Sequence, residues 1–374
     1  MTVLSITPVD VLMFRGNRLF GGAVHGEAPM PPWPSVVTGA VVSRALVDQN
    51  LVGRVTAAPD QAERLVQQAL GRDFHLRSLW ILSRNRLYCP APADLVITGD
   101  EEAGPEVLPL KPRKVPEGLC SSYPLEMLPI LEIKERKKLA GSVWLQLEGW
   151  KEHLQGKVPQ SVHVTTARQL WAVDHRLGIA LDGRSRTVIK GAIYTTDAVA
   201  LKADTHLVAV FSGSNIPTEG LVRLGGDGRA AEIREAHTHI MEKLEGFGRP
   251  QPGWRRFRMI LATPGLFPSG WLPPGVDERA PHRLRLNGLQ AKLLAAVVPR
   301  PQVISGWDLA KQAPKPAQTV VPAGACYWFE VEEGDSAALE PLYERGLWDL
   351  MEAEHPARRR QREGWNHVWF GQWV

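Results

Sequence analysis

Apolar residues crowd the stretch 3–14 with Pro8 in its middle, the mark of a strand that bends or breaks at the proline and then resumes. Over 35–48 the period changes. Val37, Ala40, Val41 and Ala45 recur at helical spacing, and Ser35, behind the run Pro31-Pro-Trp-Pro34, reads as the N-cap. The chain thus opens strand, loop, helix. Two short apolar runs about Asn85 predict a hairpin, and the proline-rich stretch 90–129 predicts an insertion draped on the surface. Residues 175–197 carry a glycine-bearing hairpin signal, 206–211 is a strand, and the apolar runs of 221–233 flank Leu224-Gly-Gly-Asp-Gly-Arg229. A linker is expected at 245–253. Beyond it the pattern repeats: a strand at 256–263, a helix from Asn287 with Gln290 three residues on, strands at 296–307 and 318–331, a helix over 336–350 with Pro341 pushing its start later, and a last strand near Val368. The order β-α-β-β-α-β is that of a ferredoxin-like unit. The expected fold class is α+β: two tandem ferredoxin-like (RRM-like) domains, 1–245 with an insertion at about 90–160, and 250–374.

A length of 374 residues agrees with two domains. Hydrophobic residues at 44% and charged ones at 22% exclude wholesale disorder, while 30 Pro and 34 Gly call for many loops and short strands. Thirteen tryptophans call for surfaces that stack or dock. The net charge of +4 is modest, but it is unevenly spread: residues 249–300 hold nine Lys or Arg against two carboxylates, and 330–354 hold nine carboxylates against one Arg. A basic face for a polyanion and an acidic face for a protein partner or solvent are implied. Three scattered cysteines, Cys89, Cys120 and Cys326, make neither a disulfide framework nor a zinc knuckle and fit a reducing cytoplasm. No export leader or membrane span is expected.

The candidate chemistry is that of holding a polyanion: cations for its charges and backbone amides that reach them. Arg15, Asn17 and Arg18 stand in the first loop, and Ser35, Thr38, Gly39 and Arg44 on the helix whose free N-terminal amides favour an anion. Gly225 and Gly226 leave room for a ligand to approach the backbone, with Arg229 beside them. The Gly-Gly-Asp turn resembles that of palm-type cyclases, but Gly228 follows Asp227 where two-metal chemistry needs a second carboxylate, so a cyclase is rejected. His237 and His239 lack further spaced ligands and read as surface or helix histidines. The cluster Arg358-Arg-Arg-Gln-Arg362 is a conventional polyanion patch, followed by Trp365, Trp369 and Trp373, of which at least one is expected in the core. No Walker A lysine, nucleophile elbow or His-Glu-x-x-His helix occurs.

Taken in order, Pro8-Val-Asp-Val-Leu-Met-Phe-Arg15, Pro31-Pro-Trp-Pro-Ser35 with Thr38-Gly-Ala40, Arg176-Leu-Gly-Ile179, Gly191-Ala-Ile-Tyr194, Gly225-Gly226, Thr263-Pro-Gly-Leu-Phe267, Gly306-Trp-Asp308 and Val321-Pro-Ala-Gly324 resemble the RAMP-type subunits of CRISPR effector complexes, and more narrowly the third subunit of the type III-B, or Cmr, complex. The resemblance implies tandem ferredoxin-like domains and no catalysis of the chain's own. It also implies contact with the large palm-domain subunit, with the repeated backbone subunit and with the 5′ handle of the CRISPR RNA, a single strand held by charge, backbone amides and base stacking, for which Arg15, Asn17, Arg18, Ser35, Thr38, Gly39, Arg44, Gly225, Gly226 and Arg229 are the candidate RNA-binding residues. It calls for no cofactor, metal or membrane. Gly16 follows Arg15 where family members often carry Asp. An alternative is a RAMP endoribonuclease that processes CRISPR precursor RNA with a histidine such as His25 as general acid or base. A protein-only adaptor is a third.

Overall fold

The computed structural model describes residues 1–14, 25–26, 29–99, 104–116, 118, 122–135 and 137–374. The fold is mixed α+β and built mainly from antiparallel strand pairs. The described residues divide into two compact units, each discontinuous in sequence: 1–85, 167–236 and 303–318 form one, and 86–166, 237–302 and 319–374 the other. The sequence reading places a single boundary between 245 and 250 and assigns 90–160 to the first domain. That segment instead lies in the second unit and buries Asp94, Leu125, Trp144, Leu145 and Trp150, side chains too apolar, or too costly to desolvate singly, for a surface drape.

In the first unit the strands run in the spatial order Glu219–Arg223, Ala230–Glu235, Thr2–Pro8, Thr205–Ser212, His75–Ser83. Thr2–Pro8 is central because Val3, Leu4 and Ile6 are all buried, and it stops at Pro8, which has no N–H to continue a ladder. The helix Pro34–Asp48 buries Val37, Thr38, Ala40, Val41, Ala45 and Leu46. Its N-cap is Trp33, with no side-chain cap, and Pro34 takes the first helical position. This corrects the N-cap reading of Ser35: proline's fixed φ and missing N–H suit that first position, which moves Ser35 one place inward. Between Thr205–Ser212 and Glu219–Arg223 the chain makes a loop where the β-α-β-β-α-β order calls for a helix. A long hairpin, Trp171–Leu181 with Val188–Leu201, matches the hairpin expected over 175–197. Gly178 sits under the Tyr194 ring, where a Cβ would lie 2.3 Å from Cζ.

The second unit holds the strand order Arg283–Leu286, Leu289–Val297, Cys326–Glu333, Arg256–Leu261, Val368–Gln372. The helix expected from Asn287 is a hairpin turn. Asn287 at φ 49° and Gly288 at φ 82° are both left-handed, the pair a type I′ turn requires, and Asn-Gly satisfies that demand better than Gln290 supports a capping box. Pro341 falls in the first turn of the helix Glu340–Arg345, behind a 3-10 turn at Ser336–Leu339, so the helix does start late. Phe257, Tyr327, Phe329, Phe370, Leu339 and Leu347 make the core, at about 1.5–3 kcal/mol for each large side chain buried.

This sheet also undoes the expected separation of charge. Arg256 and Glu330 are register partners with guanidinium and carboxylate 2.7 Å apart, Arg249 reaches Glu340 at 3.0 Å, and Arg283 pairs with Glu332. The basic stretch 249–300 and the acidic stretch 330–354 therefore interleave within one unit rather than forming opposed faces. Two arginines of the cluster 358–362 are likewise tied down, while Arg359 is exposed. Arg358 donates to the Trp348 carbonyl at 2.5 Å, and buried Arg360 pairs with Glu363 at 2.8 Å beneath Trp365. Trp365 and Trp369 are buried, as expected of at least one indole there.

At the centre of the second unit a charged network is buried. Arg258 donates to Asp94 Oδ2 at 2.8 Å and to the His153 and Gln372 carbonyls, and His153 Nε2 lies 3.0 Å from Asp94 Oδ1. Burial by itself would raise the Asp94 carboxyl, but the charges and hydrogen bonds of His153 and Arg258 outweigh it and hold it well below its ordinary 3.8. Burial, then the Arg258 charge, pushes His153 below its ordinary 6.5, against the pull of Asp94. Both depressions make the unfolded chain bind more protons than the native one in acid. Stability is fully present at neutral pH, begins to fall as pH drops below 6.5, where unfolded His153 takes a proton, and falls again below 3.8, where unfolded Asp94 does. Urea midpoints between pH 7.5 and 4 check this. A midpoint that does not move, or one that moves equally in H153Q, contradicts it.

Candidate nucleic-acid interface

The glycine loop joins Glu219–Arg223 to Ala230–Glu235, whose pairing closes at Arg223 opposite Ala230. Leu224 N–H donates to the Arg229 carbonyl at 2.9 Å, and Gly225, Asp227 and Gly228 take positive φ of 84°, 58° and 65°. The loop is not free-standing. Gly226 N–H donates to the Met13 carbonyl at 2.6 Å, and a Cβ on Gly225 would lie 2.5 Å from that same oxygen. Glycine is thus required twice over, by φ and by close approach of two backbones. On the other side of the segment, Leu12 and Val199 exchange backbone hydrogen bonds at 2.8 Å each way. The root of the first loop is held between the glycine loop and the long hairpin. Further along, His25–Gly26 pairs in parallel with Thr195–Thr196, so the first loop returns to that hairpin.

Arg229 is an internal clamp. Its Nη1 donates to Asp10 Oδ2 at 2.6 Å and its Nη2 lies 3.4 Å from Asp227 Oδ2, so two carboxylates offset one guanidinium. Arg44 plays the same part on the helix: Nε donates to Asp48 at 3.0 Å and Nη1 to the Leu221 carbonyl at 3.3 Å. Its guanidinium lies against Gly220, where a Cβ would approach Nη1 to 2.9 Å. The helix is thereby fastened to the hairpin that ends in the glycine loop.

Among the sequence-derived candidates, the structure brings Gly225, Gly226 and Arg229 together with Asp10 and Met13, and joins Arg44 to the same hairpin. Ser35 is half-buried at the second helical position, Thr38 is buried, and Gly39 is exposed with open space where a Cβ would go. Arg15, Asn17 and Arg18 lie outside the described residues, and so does the His25 side chain. Sequence reasoning missed Asp10, which carries no local signal because its partner is 219 residues away. Among the described residues no group of three or more His, Cys, Asp or Glu is placed to hold a metal, and no helix is long and apolar enough to cross a membrane. His237 and His239 are exposed at the start of the helix Thr238–Leu244, with ring centroids 5.9 Å apart.

No curated protein matches this chain. Among solved structures, one chain of the Type III-B Cmr-beta bound to cognate target RNA and AMPPnP superposes with a TM-score of 0.52 at 14% identity, covering 98% of this chain and 95% of that one. A chain of the Type III-B Cmr-beta bound to cognate target RNA gives the same score and identity over 98% and 96%. At that identity the likeness speaks for the fold. The family model of the CRISPR-associated protein Cas_Cmr3 matches residues 4–373. The chain belongs to the Cmr3 family, the RAMP-superfamily third subunit of type III-B CRISPR (Cmr) effector complexes.

Proposed function

We propose that the chain is a non-catalytic subunit that holds the 5′ handle of the CRISPR RNA and bridges the large palm-domain subunit to the repeated backbone subunits. The observation that carries this reading is the clamp of the glycine loop on Met13. It fixes at Met13 the root of the loop in which the sequence places Arg15, Asn17 and Arg18. In this reading those three residues, with Ser35, Gly39, Gly225 and Gly226, meet the RNA, while Thr38, being buried, packs behind them and Arg44 and Arg229 hold the frame. We also read each unit as a ferredoxin-like core that lacks one helix. In each, the first, third and fourth core strands in sequence keep the order 4-1-3-2 with the second, as Thr2–Pro8, His75–Ser83, Thr205–Ser212 and Ala230–Glu235 do in the first unit.

Sequencing the RNA that co-purifies with the assembled complex tests the role: it should begin with repeat-derived handle and crosslink to this chain. Random RNA, or none, would sink the proposal. Replacing Arg15 and Arg18 together should reduce the slope of log affinity against log salt by about 0.7 for each phosphate that is no longer neutralised. An unchanged slope in filter-binding titrations would remove those arginines from the site. Specific cleavage of repeat RNA by the purified chain, abolished in H25A, would favour the endoribonuclease instead.

A further inference from the structure

The strand Trp171–Leu181 is the edge of its three-stranded sheet: it pairs with Val188–Leu201 on one side and, among the described residues, with no strand on the other. The neighbour fixes where its backbone groups point. Val199 turns its N–H and C=O away from Val173, toward Leu12, so the two are a non-hydrogen-bonded pair and Val173 turns its own N–H and C=O to the outer side. By the period of two, Leu177 and Ile179 do the same. These three aliphatic side chains are exposed, and residues 171–179 contain neither proline nor lysine, two of the devices that ordinarily blunt an edge. The ladder is regular from Trp171 to Ile179 and slips beyond it, while the helix Ala167–Leu170 closes the other end, so the usable edge is centred on His175.

About that centre the strand is complementary to its own reverse. An antiparallel copy in this register sets Asp174 opposite Arg176 of the second copy and Arg176 opposite its Asp174, at non-hydrogen-bonded positions where side chains approach closest. Val173 and Leu177 of the two copies then meet as hydrogen-bonded pairs and add an aliphatic contact on the other face. A slip that centres the pairing on Asp174 sets Asp against Asp, and one that centres it on Arg176 sets Arg against Arg. Within one chain Arg176 Nε donates to Asp174 Oδ2 at 2.9 Å, a pair on the surface that costs little to exchange. This order of signs about a twofold is what a second copy of the same chain requires, because each residue of an isologous contact must suit its own counterpart.

We infer that the outer edge of Trp171–Leu181 pairs with the same edge of a second copy of this chain, antiparallel and about a twofold axis at His175. The contact needs no RNA and stands apart from the role proposed above. A single strand edge makes a small interface, so the product is a reversible dimer of the unassembled chain.

The test uses the full-length chain without RNA. Sedimentation equilibrium should show a dimer whose share grows with protein concentration, and hydrogen exchange at residues 173–177 should slow over the same range. D174R and R176D should each weaken self-association at least about tenfold, since two like-charge oppositions replace two attractions. Mixed together, the two variants should pair with each other, because each then offers the sign the other lacks, and the double swap D174R/R176D should restore the dimer. A merely structural role for either residue predicts no such recovery. A wild type that stays monomeric as its concentration rises overturns the inference, and so does a dimer that D174R and R176D leave as strong as wild type. Protection of residues 173–177 that appears only when another subunit of the complex is added would give the edge to that subunit and overturn it as well. The exchange measurement needs no variant, so it decides even where D174R does not fold.

Discussion

Replacing Asp94 by alanine is expected to cost about 3–5 kcal/mol of unfolding free energy, because it strands a buried guanidinium without its carboxylate. Asp94 and Arg258 are 2% and 6% exposed, so a guanidinium left without its partner stays desolvated. The same guanidinium also donates to the carbonyls of His153, at the end of the helix Leu147–Leu154, and Gln372, in the strand Val368–Gln372, so the loss spreads to a helix and a strand edge. Removing the pair as a unit, with D94L and R258M together, should recover much of the loss, since a buried ion pair offsets its own desolvation only in part. Urea denaturation of wild type, D94A and the double variant measures this. A loss under about 1 kcal/mol for D94A would show that the pair is not buried as described.

The second large effect is at the glycine loop. G225V forces a β-branched residue to a φ of 84° and drives its Cβ toward the Met13 oxygen at 2.5 Å. The left-handed backbone alone costs about 1–2 kcal/mol, and the clash makes the loop release the Gly226 hydrogen bond. G228A is the control, since Gly228 is also left-handed at 65° but has open space around it. If the loop seats the RNA-bearing segment, G225V should weaken handle RNA by about tenfold or more, a loss of roughly 1.4 kcal/mol, and G228A should change it far less. Wild-type affinity in a folded G225V would detach the glycine loop from RNA binding.

Much of this architecture is legible in the sequence because strands bury alternate or continuous apolar runs, and those runs are local. The hairpin about residues 175–197, the strand before Pro8, the glycine loop and the late start forced by Pro341 all follow from spacing and turn chemistry. Asn287 misleads because two local rules compete there: a capping-box spacing and an Asn-Gly turn share the same residues, and positive φ at both turn positions decides for the hairpin. What stays hidden is pairing across distance. Asp94 sits in a proline-rich stretch that looks like surface, and only the folded chain shows Arg258 and His153 closing over it. The charge runs mislead for the same reason. Counting along the chain cannot see that the strands bearing Arg256 and Glu330 are neighbours.

The interleaving of the two units also bears on how the chain is made. The first unit takes residues 303–318 only after the second has claimed 86–166 and 237–302, so synthesis delivers its parts in the order first, second, first, second, first, second. Strictly sequential, domain-by-domain folding as the polypeptide emerges is therefore excluded for the complete units, and the long sequence separation of their contacts predicts slow maturation. A cut near residue 250 would free neither unit: each piece would carry segments of both.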